Sequence, residues 1–222
     1  MEFMVSILKI KNLTPKVMKI LLITEKIDKD DEMFGYFHGR IIDFIPYCEK
    51  LTIICLEEHA HNLPSNVPVL SLGKEKKFSR LKYTLNFYRY IWTERKNYDV
   101  VFVHLAPIWV VMGGLIWRFL GKEIVLWYNH TFVDLKLSIA EKFASVILTT
   151  SENSFRVKSK KVKIVPSDIG WSDVGSFDAL SNELNNDDSN NFILSHKHVS
   201  MIDVQDLIVI DTEDALLISK KG

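Results

Sequence analysis

Short apolar runs punctuate the first three-quarters of the chain: KILLIT (19–24), LTIICL (51–56), DVVFVH (99–104), EIVLWY (123–128), SVILTT (145–150) and VKIV (162–165). Their residues are apolar at consecutive positions rather than at alternate ones, which is the pattern of parallel strands covered on both faces. The segments between them, 35–48, 80–96, 107–120 and 134–143, instead carry apolar residues at helical spacing. Strands alternating with helices of this length predict right-handed crossover units, hence an α/β fold with a Rossmann-like doubly wound parallel sheet over residues 18–165. Such a sheet receives ligands at the carboxyl ends of its strands. The loops that follow the apolar runs are therefore where chemistry is expected.

Both ends of the chain break this rhythm. Residues 1–17, MEFMVSILKIKNLTPKV, hold a short apolar stretch (3–8) interrupted by lysines. It is too short to span a bilayer and has neither the basic start nor the small-residue cleavage site of a secretory signal, so an N-terminal extension is expected, with Met18 as an alternative start. The other long apolar stretch, Ala106 to Gly121, is broken by Arg118 and has two central glycines, which fits a buried or membrane-apposed helix better than a span. After Val165 the texture changes. Residues 166–222 form a second segment, with a polar Asn/Asp-rich linker at 181–191 followed by β-like runs, NFILS, VSMIDV, DLIVIDT and ALLISKKG. A short mostly-β tail follows from that pattern. So few residues bury little core alone, so the tail is expected to pack on something else.

Composition narrows the partners. With 47% apolar and 25% charged residues the chain is ordinary globular material. Lys plus Arg and Asp plus Glu both number 28, so no global field favours nucleic acid or an anionic membrane, and no nucleic-acid partner is expected. Peripheral membrane contact then depends on local features such as Arg156, Lys158, Lys160, Lys161 and Lys163, for which a solvated basic surface is the favoured reading. Cys48 and Cys55 are too few for a disulfide scaffold and lack zinc-site spacing, so a reducing cytoplasm is the expected location.

Candidate chemistry gathers at strand ends. The loop EKIDKDDEMFGYFHGR (25–40) carries Gly35, His38 and Gly39, but it is acidic and lacks the G-x-G-x-x-G spacing that brings backbone amides onto a pyrophosphate. His104 and His130 follow their strands where a sheet of this class offers side chains to a ligand. A neutral imidazole there hydrogen-bonds a hydroxyl or acts as a base. A capped or buried histidine is the competing reading of each. Gly35, His38, His104 and His130 are thus the ligand-binding candidates, and no catalytic residue is assigned.

From Met18 to about Val165 the chain resembles the N-terminal, acceptor-side half of a GT-B glycosyltransferase of the retaining, glycogen-synthase-like superfamily. KILLIT, the Gly35 loop, FVHLAPIWVVMGGLIWRFLGK, IVLWYNH and AEKFASVILTTSENSFRVKSKKVKIV carry the likeness. It implies a sugar or lipid-linked acceptor at the sheet's carboxyl edge. Enzymes of that family hold the sugar nucleotide largely on their other half, so the resemblance implies nucleotide-sugar binding only with a partner chain.

A second resemblance begins where the first stops. DIGWSDVGSFDAL (168–180) is similar to a motif near the end of the catalytic domain of mannose-1-phosphate guanylyltransferases, and MIDVQDLIVIDTEDALLISKKG (201–222) to the strands that follow it there. This likeness implies that Asp173 helps hold a Mg²⁺ bridging the phosphates, in a turn completed by Trp171, Gly175 and Asp178. In the competing reading Trp171 anchors a structural turn while Asp173 and Asp178 cap or solvate it. The family's G-x-G-x-R-L loop has no counterpart in these residues. The joint expectation is a glycosyltransferase-like protein of nucleotide-sugar and cell-surface polysaccharide metabolism, incomplete and inactive alone. A fragment related to GDP-mannose synthesis, or a non-catalytic product of gene fusion, is the alternative.

Overall fold

The computed structural model describes residues 18–32, 34–150, 155–165, 176–177, 180–181, 184 and 186–221. It divides into two compact units, Met1–Ser167 and Asp168–Gly222. In the first, β1 (Lys19–Ile27), α1 (Phe34–Phe44), β2 (Lys50–Glu58), β3 (Val69–Ser71), α2 (Arg80–Thr93), β4 (Val100–His104), α3 (Pro107–Phe119), β5 (Glu123–Trp127), α4 (Leu135–Phe143), β6 (Val146–Thr149) and β7 (Val162–Ile164) follow in order. The strands form one sheet in the order β3-β2-β1-β4-β5-β6-β7, every described pair parallel. This is the Rossmann-like arrangement the apolar runs predict.

The consecutive apolar positions are explained by burial on both faces. Leu21 and Ile23 of β1 join Val101, Val103, Ile124, Leu126 and Ile147 in a core under Phe87 and Ile91 of α2, Trp109, Val110 and Trp117 of α3, and Leu137 and Ala140 of α4. Ile20 and Leu22, one residue out of phase, join Ile53, Cys55, Phe102 and Leu148 in a second core with Ile41 and Phe44 of α1. Each fully buried Leu, Ile or Phe contributes about 1.5–3 kcal/mol, so the two layers are the main source of stability. Register fixes the centre of the sheet: Leu22 lies between Ile53 and Phe102.

Helix boundaries follow local chemistry. Ser79 caps α2 by accepting from the Lys82 amide, Asp134 caps α4 by accepting from the Leu137 amide, and α3 begins on Pro107, whose fixed φ suits a first turn. Gly121 ends α3's exit in the left-handed region at φ +67°. Inside α3, a Cβ on Gly114 would come within 2.6 Å of the Phe143 ring, so that glycine sets the close approach of α3 to α4. α3 is not fully enclosed, for Leu115 and Phe119 are 70% and 86% exposed. No described helix is long and apolar enough to cross a membrane.

Three details depart from the sequence expectation. The first helix stops at Phe44 and continues as a single 3₁₀ turn, Ile45–Tyr47, because Pro46 cannot donate to an α-helical ladder. Val69–Ser71 adds an edge strand directly after Pro68, too short to register as a run. In the second unit VSMIDV is not a strand: Asp203 and Asp206 adopt φ +55° and +58°, which breaks extended backbone.

That second unit holds β8 (Phe192–Leu194), β9 (Leu207–Asp211) and β10 (Leu216–Lys220) in the order β10-β9-β8. Its described core is small, Phe192, Ile208 and Ile210 with Leu180 against them. The polar run before it is tied down, since Asp187 accepts from the backbone amides of Ser189 and Asn191. Asn191 is itself buried, donating to the Val204 carbonyl and accepting from the Leu207 amide.

Candidate functional site

Strand order reverses between β1 and β4, because β1 leads outward to β2 while β4 leads the opposite way to β5. In sheets of this class the loops leaving two such strands diverge and ligands bind in the crevice between them, so the carboxyl ends of β1 and β4 mark the expected crevice. Side chains on β1 alternate across the sheet, so the end of β1 supplies a residue to each face.

On the face covered by α1, Thr24 and His104 meet across the two strands. Thr24 Oγ1 and His104 Nδ1 are 3.4 Å apart and share a hydrogen bond. The imidazole stacks flat on Phe37 of α1, with ring centroids 3.6 Å apart and planes 5° from parallel. Thr24 is fully buried and His104 is 8% exposed. Burial drives the His104 pKa down to about 3, so the ring is neutral at physiological pH. It can orient or accept a proton bond there without carrying charge. Immediately after it Leu105 turns at φ +60°, a conformation that costs a leucine roughly 1–2 kcal/mol, and the chain enters α3 through Pro107.

On the opposite face Glu25 accepts a hydrogen bond from Trp109 Nε1 at 3.1 Å. Trp109 lies in the first turn of α3 and is 5% exposed. The crevice is thus framed by a neutral hydroxyl–imidazole pair on one face and a carboxylate held by an indole on the other. That set suits hydroxyl-rich ligands: the partly exposed Glu25 carboxylate accepts from hydroxyls, while the fully buried Thr24 hydroxyl orients the His104 imidazole.

The four candidates from the sequence fall in different settings. His104 sits in the crevice. His38, also buried, accepts from the Asn62 amide at 3.5 Å through Nε2, tying α1 to the loop between β2 and β3. Burial, then the nearby His61 and Lys29 charges, lower its pKa. Gly35 allows the start of α1 to approach the preceding loop, since a Cβ there would lie 2.9 Å from the Lys29 carbonyl oxygen. That loop is pinned by Lys26, which pairs with Asp28 and Asp31, and by Asp31 accepting from the Phe34 amide. His130 is exposed beyond β5 and packs edge-on against Tyr128, at 5.6 Å between centroids. No described contact joins it to His104.

Trp171, Asp173, Gly175 and Asp178 lie outside the described residues. Among the described residues no group of three or more His, Cys, Asp or Glu side chains is arranged to hold a metal ion. Thr24, Glu25, Phe37 and Trp109 were not singled out from the sequence. Glu25 and Trp109 stand 84 residues apart, and only the crossover topology brings them together.

No family model matches the chain. Mannose-1-phosphate guanylyltransferase 2 of Escherichia coli O157:H7 is 37% identical over 112 residues, which take in 42% of this chain and 23% of that protein. Among solved structures, Anabaena Alr3699/HepE in complex with UDP aligns over 67% of this chain and 44% of its own, with a TM-score of 0.47 and 14% identity. UDP-GlcNAc 2-epimerase from Methanocaldococcus jannaschii aligns over 66% of this chain and 45% of its own, with a TM-score of 0.44 and 13% identity. MurG of Acinetobacter baumannii aligns over 68% and 46%, with a TM-score of 0.40 and 16% identity. The chain spans less than half the length of each of these proteins. The fold assignment stands on the strand order itself.

Proposed function

We propose that this chain is a glycosyltransferase-like protein of nucleotide-sugar metabolism that binds a sugar acceptor, free or lipid-linked, in the crevice between β1 and β4. The observation that carries the reading is the placement of Thr24 and His104 on one face, and of Glu25 on the other, at the carboxyl ends of the two strands where the order reverses. Supporting it are the hydroxyl-binding chemistry of that set and the sequence resemblance of residues 18–165 to the acceptor half of GT-B enzymes. Sugar transfer then needs a nucleotide-sugar donor held outside residues 18–165.

The test is binding. Ligand that engages the folded state raises its melting temperature by mass action. Mannose-containing oligosaccharides should raise the melting temperature of the full chain, GDP-mannose alone should leave it unchanged, and Glu25→Gln should weaken the glycan response several-fold. An unchanged melting temperature with every glycan in the panel would sink the proposal. Peripheral attachment through the exposed Leu115 and Phe119 of α3 would suit a lipid-linked acceptor, and flotation with lipid vesicles checks it.

A second reading is favoured by the 37% identity to a mannose-1-phosphate guanylyltransferase. Here residues 166–222 supply part of a guanylyltransferase site, with Asp173 holding Mg²⁺, an ion that a carboxylate oxygen suits and that normally keeps several waters and uses the substrate phosphates. Pyrophosphate release from GTP and mannose 1-phosphate, abolished by Asp173→Ala, supports this reading. Release that survives Asp173→Ala removes Asp173 from it.

A further inference from the structure

The β10 strand is an open edge. Among the described residues it pairs with β9 alone, and all of its residues from Leu216 to Lys220 are exposed. Leu216, Leu217 and Ile218 are 61%, 40% and 60% exposed, an apolar row of a kind that soluble proteins rarely leave open on a sheet edge. The second unit therefore offers a ready template for another strand.

Ladder geometry shows which groups are on offer. The Thr212 amide donates to the Ala215 carbonyl, and the Lys221 amide donates to the Asp206 carbonyl. In an antiparallel ladder the bonded pairs alternate, so Ala215, Leu217, Ser219 and Lys221 turn their amides and carbonyls toward β9. Leu216, Ile218 and Lys220 turn theirs outward.

We propose that β10 pairs antiparallel with β10 of a second copy of this chain, about a two-fold axis through Ile218. In that register Ile218 faces Ile218 of the partner subunit and Leu216 faces Lys220 of the partner subunit. Every outward amide and carbonyl of those residues is then used. Both contacts are self-complementary, as a two-fold interface requires. Charge agrees with the register. Lys220, which makes no ion pair with a described carboxylate, comes beside the turn bearing Glu213 and Asp214 of the partner subunit. Shifting the register by one residue would set the inward-bonded Leu217 and Ser219 against the partner and lose the match. A second copy is thus favoured over an unrelated strand, because pairing satisfies backbone, apolar row and charge together.

The test is the mass of the full chain in solution, by sedimentation equilibrium across a hundred-fold range of concentration. A monomer–dimer equilibrium is expected. Ile218→Pro should abolish it while leaving the β9 ladder intact, because the Ile218 amide makes no bond to β9. Ile218→Lys should abolish it by setting like charges opposite one another. Lys220→Glu should weaken the dimer about ten-fold, and the double change Lys220→Glu with Asp214→Lys should restore it. Circular dichroism of each variant separates lost pairing from lost folding. A monomer at every concentration, a dimer indifferent to Ile218→Pro, or open-ended aggregates in place of a dimer would overturn the proposal. So would a failure of the charge exchange to restore the dimer.

Discussion

Acidification from pH 7 to pH 5 should loosen the first unit through a single buried imidazole. An unfolded histidine titrates near 6.5, whereas burial holds His104 at about 3. Between those values the unfolded chain binds a proton that the folded chain refuses. The stability present above pH 6.5 is therefore lost progressively as the pH falls toward 3. At pH 5 the unfolded state is about 1.5 pH units into its titration, and at ~1.4 kcal/mol per unit the loss is about 2 kcal/mol. For a chain of this size that lowers the melting temperature by roughly 4–8 °C. His38 is lowered in the same direction and adds its own slope, so the informative quantity is a difference between proteins. Urea unfolding of wild type and of His104→Gln, at pH 7 and pH 5, supplies it. Glutamine keeps a hydrogen-bonding group beside Thr24 but removes the titration. The wild type should lose about 2 kcal/mol more than the variant over that interval. Equal losses in the two proteins would refute the buried, neutral state of His104.

Other substitutions probe the packing of the first unit. Gly114→Ala should destabilise by about 1–3 kcal/mol in chemical denaturation despite alanine's better helix propensity, because its Cβ would strike the Phe143 ring where α3 meets α4. Tyr98→Phe should cost about 0.5–1.5 kcal/mol, since the fully buried Tyr98 hydroxyl donates to the Ile91 carbonyl at 2.8 Å. Burial pushes the Cys48 thiol up to about 12 and raises Cys55 in the same direction, so alkylation at pH 8 should be slow in the native protein and fast in urea. Rapid native labelling of Cys55 would mean that the β2 core opens readily.

Much of the architecture was legible because the physics is local and redundant. Six apolar runs each became a strand, and their lack of alternation correctly signalled burial on both faces, as Leu21 and Leu22 show by entering opposite cores. Signals of only a few residues were harder to read. Val69–Ser71 was missed because three residues beside a proline carry no periodicity. VSMIDV alternated like a strand, yet the left-handed Asp203 and Asp206 around it send the chain into loops. At the crevice, His104 was legible from its place at a strand end. Glu25 and Trp109 were not, since an acid after an apolar run and a tryptophan in an apolar helix look like a solvated end and a core residue. Their hydrogen bond exists only because β1 and α3 meet at the same edge.

The proposed acceptor site commits the protein to one region of the sheet. Hydrogen–deuterium exchange of the full chain, with and without saturating mannose-containing oligosaccharide, measures that commitment most directly. Protection should appear in the peptides covering residues 24–38 and 104–109, where Thr24, Glu25, Phe37, His104 and Trp109 lie, and should shrink in Glu25→Gln. Protection confined to other segments, or none at a concentration that shifts the melting temperature, would contradict the account.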